Sequence, residues 1–261
     1  MTDDSIDLET QADAVREAVR AADDRIADKK ASLTELDSAI GDADHGANMT
    51  RGFGKATEQL EETDDHPADV VKTTGVALVS AVGGASGPLY GGSLMKASQE
   101  LEDGLTPETT VAFAERYLET VESRGKASLG DKTMVDALTP AVHTYKKSIE
   151  VDGCAPLEAL GKAVDAARRG VEFTTPLRAK KGRASYLGWR SVGHQDPGAT
   201  STLILLEELL AVATEHLDGE VDVDAEAEVD PEELETSVAD DPEATGEDVS
   251  TSDDLPADGG D

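Results

Sequence analysis

The chain has 261 residues, 56 Asp and Glu against 23 Lys and Arg, and a formal net charge of −33. That balance excludes a nucleic-acid partner, whose phosphate backbone requires Lys and Arg, and disfavours docking on an anionic membrane. The single cysteine, Cys154, excludes an intramolecular disulfide and a cysteine-based zinc site.

Leu8, Ala12, Val15, Val19, Ala22 and Ile26 recur at three- and four-residue spacing and predict a helix over 8–27. Leu33, Leu36 and Ile40 carry a second over 33–40, and a third runs from His45 to about Glu62. Pro67 opens the next. Within it, Val76–Val82 has the look of a buried strand, but no companion strands alternate with it, so the segment reads as helix. Gly83-Gly84-Ala85-Ser86-Gly87-Pro88 breaks the chain, and Ser86 or Gly87 is placed to cap a helix from Pro88 to Leu101. Thr106-Pro107 caps another that ends near Gly125. Gly130-Asp131-Lys132-Thr133 introduces one reaching about Glu150, Pro156 opens one to about Thr174, and Asp196-Pro197-Gly198 caps the last, Ala199–Leu217. The expected architecture is all-α: about eight antiparallel helices in up-down order over residues 1–217.

From Asp218 onward there are 19 acids, no Lys or Arg and no aromatic residue. Such a segment buries too little apolar area to order itself, so residues 218–261 read as a disordered acidic tail. Without those acids the charge is still about −14. Few Lys, many Ala and Gly and 3% aromatic residues favour a protein of a salt-rich cytoplasm over an ordinary acidic one. The acidic start, Met1-Thr-Asp-Asp, reads against a secretory leader. No run approaches the roughly 18 apolar residues of a spanning helix. The expected location is the cytoplasm.

Four polar, Gly-rich loops punctuate the helices, at 41–48, 83–88, 125–134 and 182–198. Two helices separate each of the first three from the next, so an up-down bundle gathers them at one end. Asp37 lies on a last helical turn. Asp42 and Asp44 are two apart, and an extended backbone aims both the same way. Two carboxylates about 4 Å apart repel by roughly 4 kcal/mol at an effective dielectric near 20. Oxygen-only ligands beside a helix start suit Mg²⁺ bridging to a nucleotide phosphate; the alternative is a solvated turn with Asp44 as a helix cap. His45 is a first-turn residue that beside phosphate becomes a donor. Glycines at 83–87 let backbone N–H groups approach an anion, or simply make a helix–helix turn. The 83–88 segment is neither a P-loop nor a dinucleotide fingerprint. Residues 124–134 say only loop. Lys180-Lys181-Gly182-Arg183 concentrates positive charge in a chain that avoids it. Arg183 is suited to clamp a phosphate bidentately, against the alternative of a solvated loop. Asp196 is either a cap or a partner for a ribose hydroxyl. No nucleophile looks activated, so the chemistry suggested is electrostatic.

With these segments assembled, the chain resembles the ADP-binding L-subunit family of phosphoenolpyruvate-dependent dihydroxyacetone kinases, a domain that also forms the C-terminal half of ATP-dependent ones. The resemblance covers about residues 8–217. It rests on Asp37…Gly41-Asp42-Ala-Asp44-His45-Gly46-x-Asn48-Met49-x-Arg51-Gly52-Phe53, Gly83-Gly84-Ala85-Ser86-Gly87-Pro88-Leu-Tyr90-Gly91, Arg124-Gly125-Lys126…Gly130-Asp131-Lys132-Thr133-Met134-x-Asp136, and Lys181-Gly182-Arg183-Ala-Ser185-Tyr186-Leu-Gly188…Gly193-His194-Gln195-Asp196-Pro197-Gly198-Ala-Thr-Ser201. Trp189 and the tail stand outside the pattern. The resemblance implies an eight-helix antiparallel up-down barrel with ADP or ATP at one end. It implies Asp37, Asp42 and Asp44 as ligands of two Mg²⁺ ions. His45, Gly46, Ala47, Asn48, Ala85 and Ser86 would be phosphate contacts, Gly125 and Met134 would line the adenine, and Arg183, Asp196, Pro197 and Gly198 would complete the nucleotide site. Asp37, Asp42, Asp44 and Arg183 become the catalytic set. The implied partners are a phosphohistidine carrier M subunit, which phosphorylates resident ADP, and a K subunit, which holds dihydroxyacetone on a histidine; a homodimer is left open. The alternatives are the nucleotide domain of an ATP-dependent kinase for dihydroxyacetone or another acceptor, and a regulator of a transcription factor.

Overall fold

The computed structural model describes residues 7–61, 63–219 and 221. Eight α-helices follow one another: α1 (Leu8–Ile40), α2 (His45–Leu60), α3 (Pro67–Ala81), α4 (Gly92–Ala97), α5 (Pro107–Gly125), α6 (Val135–Glu150), α7 (Pro156–Thr174) and α8 (Pro197–His216). A π turn (Gly87–Gly91) and a 3₁₀ turn (Ser98–Leu101) flank α4, and a 3₁₀ segment (Arg183–Ser191) precedes α8. There is no strand among the described residues, and none of their helices is long and apolar enough to cross a membrane. Each helix packs on the next, and α8 returns to α1. The ring is therefore closed, an antiparallel up-down barrel as expected. The tail expected over 218–261 lies outside the described residues apart from 218, 219 and 221, as does Glu62, the expected end of the helix that closes at Leu60.

The helix starts follow from local chemistry. Proline occupies the first turn of α3, α5, α7 and α8, where its missing N–H is no loss. Asp7 caps α1 through the Thr10 N–H at 2.9 Å, and Thr106 and Thr109 form a reciprocal capping box on α5.

Two expectations are corrected. The separate helices over 8–27 and 33–40 are one, because no Gly or Pro interrupts 28–32 and Ile26 and Leu33, seven residues apart, keep the same buried stripe. The helix expected over 88–101 is instead a π turn, α4 and a 3₁₀ turn in series, and the Ser86 side chain caps nothing. The widened turn has a local cause. A Cβ on Gly91 would stand 2.4 Å from the Gly75 carbonyl oxygen, so the backbones of α3 and the π turn touch.

Ile26, Leu33, Met49, Phe53, Leu78 and Val121 belong to the main apolar core inside the ring. Small residues (Ala137, Ala141, Ala163, Ala167 and Ala199) draw α6, α7 and α8 together. The connections α1–α2, α3–π turn, α5–α6 and α7–α8 all emerge at one end, since an even number of helices separates them.

Candidate functional site

Asp37 sits buried on the last turn of α1. Its Oδ2 accepts hydrogen bonds from the backbone N–H groups of Asp44 at 2.8 Å and His45 at 3.1 Å. The carboxylate thus caps α2 from the neighbouring helix, with its charge at the positive end of the α2 dipole. Gly41 permits this approach: a Cβ there would lie 2.0 Å from Asp37 Oδ1. Ala43 is left-handed, at φ 61°, which costs a non-glycine residue about 1 kcal/mol. The turn is therefore not extended, as the two-residue spacing suggested. The left-handed residue folds the chain back so that Asp37, Asp42 and Asp44 each present an oxygen within 4.8 Å of the others. Asp44 makes no side-chain cap bond, so the cap alternative fails and its carboxylate stays with the other two. Three convergent oxygen donors, one buried and two exposed, fit a hard divalent cation such as Mg²⁺.

Arg183 reaches the same cluster. Its Nε lies 3.0 Å from Asp42 Oδ2, with the side chain 67% exposed. Ala184, with Leu187 beside it, packs against Ile40 and Ala179, which fixes the 183–191 segment on the C-terminal end of α1. On the other flank, Asn48 Oδ1 accepts from Arg51 Nη2 at 2.6 Å, and Arg51 Nε donates to the Ala81 carbonyl at 2.7 Å. A Cβ on Gly83 would stand 3.2 Å from Asn48 Oδ1, so the 83–88 loop passes the first turn of α2, with Gly84 and Ala85 exposed and Ser86 half-buried. Gly46 lets α2 meet α1, where a Cβ would be 2.3 Å from the Lys30 carbonyl oxygen, and Ala47 is half-buried beside it.

The His45 ring turns inward. It is buried, and Nε2 lies 2.8 Å from Ser201 Oγ. Burial pushes its pKa down against the pull of Asp37 and Asp44. Tyr90 extends this network. Its hydroxyl donates to the Gly198 carbonyl at 2.9 Å and lies 2.8 Å from Ser201 Oγ and 3.0 Å from Thr202 Oγ1. Burial raises the Tyr90 pKa to about 12, so it is neutral.

Beneath the surface, α6 and α8 start side by side. Met134 is buried against Gly198, and Gly125 abuts Leu89 of the π turn. Asp196 is buried. Its Oδ2 accepts from the Ala199 N–H at 2.8 Å and its own N–H donates to Thr174 Oγ1 at 3.0 Å, so the cap reading is the one realised. Burial raises the Asp196 pKa to about 7. Lys132, 1% exposed and left-handed at φ 64°, donates from Nζ to the carbonyls of Thr174, at 2.7 Å, and His194. It spans the two ends of the loop that carries Arg183. Asp136 is fully buried and accepts from the Gly130 N–H at 2.5 Å and the Thr133 N–H at 2.8 Å.

The DAK2 domain pattern matches residues 39–211. The chain belongs to the DAK2 domain family. Among DAK2 relatives, the ADP-binding subunit DhaL of the PEP-dependent dihydroxyacetone kinase of Escherichia coli K12 is 45% identical over 186 residues, 70% of this chain and 88% of that one. The corresponding subunit of kinase 1 of Listeria innocua is 40% identical over 191 residues, 72% and 89% of the two chains. The crystal structure of the C. freundii dihydroxyacetone kinase in complex with AMP-PNP and Mg²⁺ superposes with a TM-score of 0.58 at 26% identity. That match covers 76% of this chain and 33% of that one, so this chain spans about a third of that kinase.

In this DAK2 domain the sequence reading located the acids, Arg183 and the first turn of α2. It assigned no role to Arg51, Tyr90, Lys132, Asp136, Ser201 or Thr202, the groups that hold the loops in place. Arg51, Tyr90, Lys132, Asp136 and Ser201 stood inside quoted motifs, but their partners have no local signal.

Proposed function

We propose that this chain is the ADP/ATP-carrying subunit of a phosphoenolpyruvate-dependent dihydroxyacetone kinase working in a salt-rich cytoplasm. The observation that carries the reading is the carboxylate trio at the α2 N-terminus, oxygens within 4.8 Å and Arg183 alongside. Identity of 45% across 88% of an ADP-binding subunit supports it. Bound ADP would supply the phosphoryl relay, taking the group from a phosphohistidine of a carrier M subunit and yielding it to a hydroxyl of dihydroxyacetone on a K subunit. Asp37, Asp42 and Asp44 would hold magnesium, two ions in this reading, and so balance phosphate charge.

The chain's own groups do the rest. Asp37 fixes the α2 N-terminus. The first turn of α2, Gly46 to Asn48, and the 83–86 loop present backbone to the phosphates. Arg183, a fork of donors, would exchange Asp42 for a phosphate oxygen when nucleotide binds. Lys132 and Asp196 hold the α8 start, Pro197-Gly198, beside Met134, where the adenine would lie. Among the described residues no side chain at this end is placed as a base for the acceptor hydroxyl, so that proton would go to the partner.

The test is the nucleotide and metal content of the protein as isolated. Tightly held ADP, released when Mg²⁺ is chelated, is the expected result; a protein free of nucleotide that exchanges ATP rapidly supports instead the nucleotide domain of an ATP-dependent kinase.

A further inference from the structure

Residues 173–195 hold five Lys and Arg and none of the chain's 56 acids. The same stretch carries three of its eight aromatic residues, and these three alone are exposed: Phe173 at 53%, Tyr186 at 88% and Trp189, the only tryptophan, at 76%. The other five lie at least partly buried. Exposing such groups costs solubility unless something covers them. Aromatic residues and Arg are the enriched anchors of protein interfaces. Arg178 lies over the Trp189 ring, 5.2 Å from its centre, and Arg178, Lys181 and Arg190 make no ion pair with another described residue. Against a net charge of −33 for the chain, this surface suits an acid-rimmed partner.

We propose that the 183–191 segment, anchored by Tyr186 and Trp189, is the docking surface for the protein that carries the phosphoryl acceptor. The inference rests on the functional reading above. The segment starts at Arg183, beside Asp42, so a protein seated on it lies next to the phosphates. The choice of the acceptor protein follows from selectivity. An acceptor hydroxyl is no better a nucleophile than water and is greatly outnumbered by it, so only a dry seal directs the phosphoryl to the alcohol. In the transfer the P–O bond to ADP breaks, a P–O bond to the hydroxyl oxygen forms, and the hydroxyl proton passes to a base of the partner. In the charging step the nucleophile is ADP already held by this chain, which places no such demand.

The test uses the full chain and a Tyr186→Ser/Trp189→Ser double variant, with the carrier subunit and the dihydroxyacetone-loaded K subunit. ADP content and the rate of phosphorylation of bound ADP should match wild type. The K-subunit concentration for half-maximal transfer should rise roughly tenfold or more. An unchanged half-saturation overturns the assignment. So does a defect confined to the charging step, which gives the surface to the carrier. A wild-type chain that holds no ADP and transfers nothing refutes the functional reading itself, and this inference with it.

Discussion

Replacing Asp42 by Asn should make the metal-free protein more stable and the loaded protein less so. The three carboxylates have oxygens within 4.8 Å of one another. At that separation a pair of unit charges repels by about 1 kcal/mol in bulk water and about 3.5 kcal/mol at an effective dielectric near 20. Asp42 takes part in two of the three pairs. Asp42 and Asp44 are exposed, so the low end applies and removing the Asp42 charge relieves about 2 kcal/mol. Losing the exposed Arg183 pair takes back at most about 1 kcal/mol. The net gain is about 1–2 kcal/mol without metal, shrinking in concentrated salt. With Mg²⁺ and ADP at about a hundred times their dissociation constant, wild type gains about 2.7 kcal/mol by mass action, and a variant that has lost a ligand does not. Urea unfolding in EDTA and then in Mg²⁺ and ADP measures both states. Two results refute the reasoning: a metal-free variant less stable than wild type by 1 kcal/mol or more, or equal stabilisation of both proteins by Mg²⁺ and ADP.

Asp196, its pKa raised from 3.8 to about 7 by burial, stays protonated in the fold after the unfolded chain has lost the proton. The native state then binds more protons, so this group removes stability as pH climbs from about 4 to about 7, by up to about 1.4 kcal/mol per unit. Asp196→Asn keeps a capping oxygen and should flatten that slope; unfolding free energies against pH with an unaltered slope would contradict it. Lys132→Met leaves the buried Thr174 carbonyl and the His194 carbonyl without their shared donor. It should cost about 2 kcal/mol and weaken ADP binding, as denaturation and calorimetry would show; a loss under 1 kcal/mol would make Lys132 dispensable. Gly46→Ala places a methyl 2.3 Å from the Lys30 carbonyl oxygen. It should destabilise by about 1–3 kcal/mol and lower metal affinity by swinging the α2 N-terminus off Asp37, readable by Mg²⁺ titration. The net charge of −33 predicts a lower melting temperature in dilute buffer than in molar KCl, where the screening length falls to about 3 Å; identical melts would remove salt adaptation from the account.

The helix starts were legible because their chemistry is local. Pro67, Pro107, Pro156 and Pro197 each open a helix, and Asp196 caps the one it was placed to cap. The continuity of α1 was not, since the polar 28–32 stretch weakens the apolar signal while breaking nothing. The acid cluster was legible as chemistry but not as shape. Turn rules assign positive φ to Gly or Asn, and here Ala43 adopts it. The inward turn of the His45 ring was not legible, because its partner, Ser201, lies 156 positions away. Lys132 escaped for the same reason: a charged side chain is a poor guess for the interior, and its acceptors are the carbonyls of Thr174 and His194. Periodicity and caps report a residue's neighbours in the chain, whereas this end of the barrel is held by pairs remote in it.

Those remote pairs explain why an unfavourable cluster persists. Left to repulsion, Asp42 and Asp44 would swing apart, and Ala43 would relax from its left-handed state. Asp37, bonded to the backbone N–H groups of Asp44 and His45, ties one carboxylate to the positive end of α2 and draws the turn closed. His45 in turn is locked to α8 by Ser201, which shares Tyr90 with Gly198, while Lys132 pins the loop that delivers Arg183. The cost of bringing like charges together is thus met by folding rather than by the ligand. A cation entering the trio finds its oxygens already convergent and relieves repulsion instead of reorganising a loop. Preorganisation of this kind requires rigid helix ends, and an up-down barrel supplies them: four connections at one rim, each anchored on two helices, with the apolar core directly beneath.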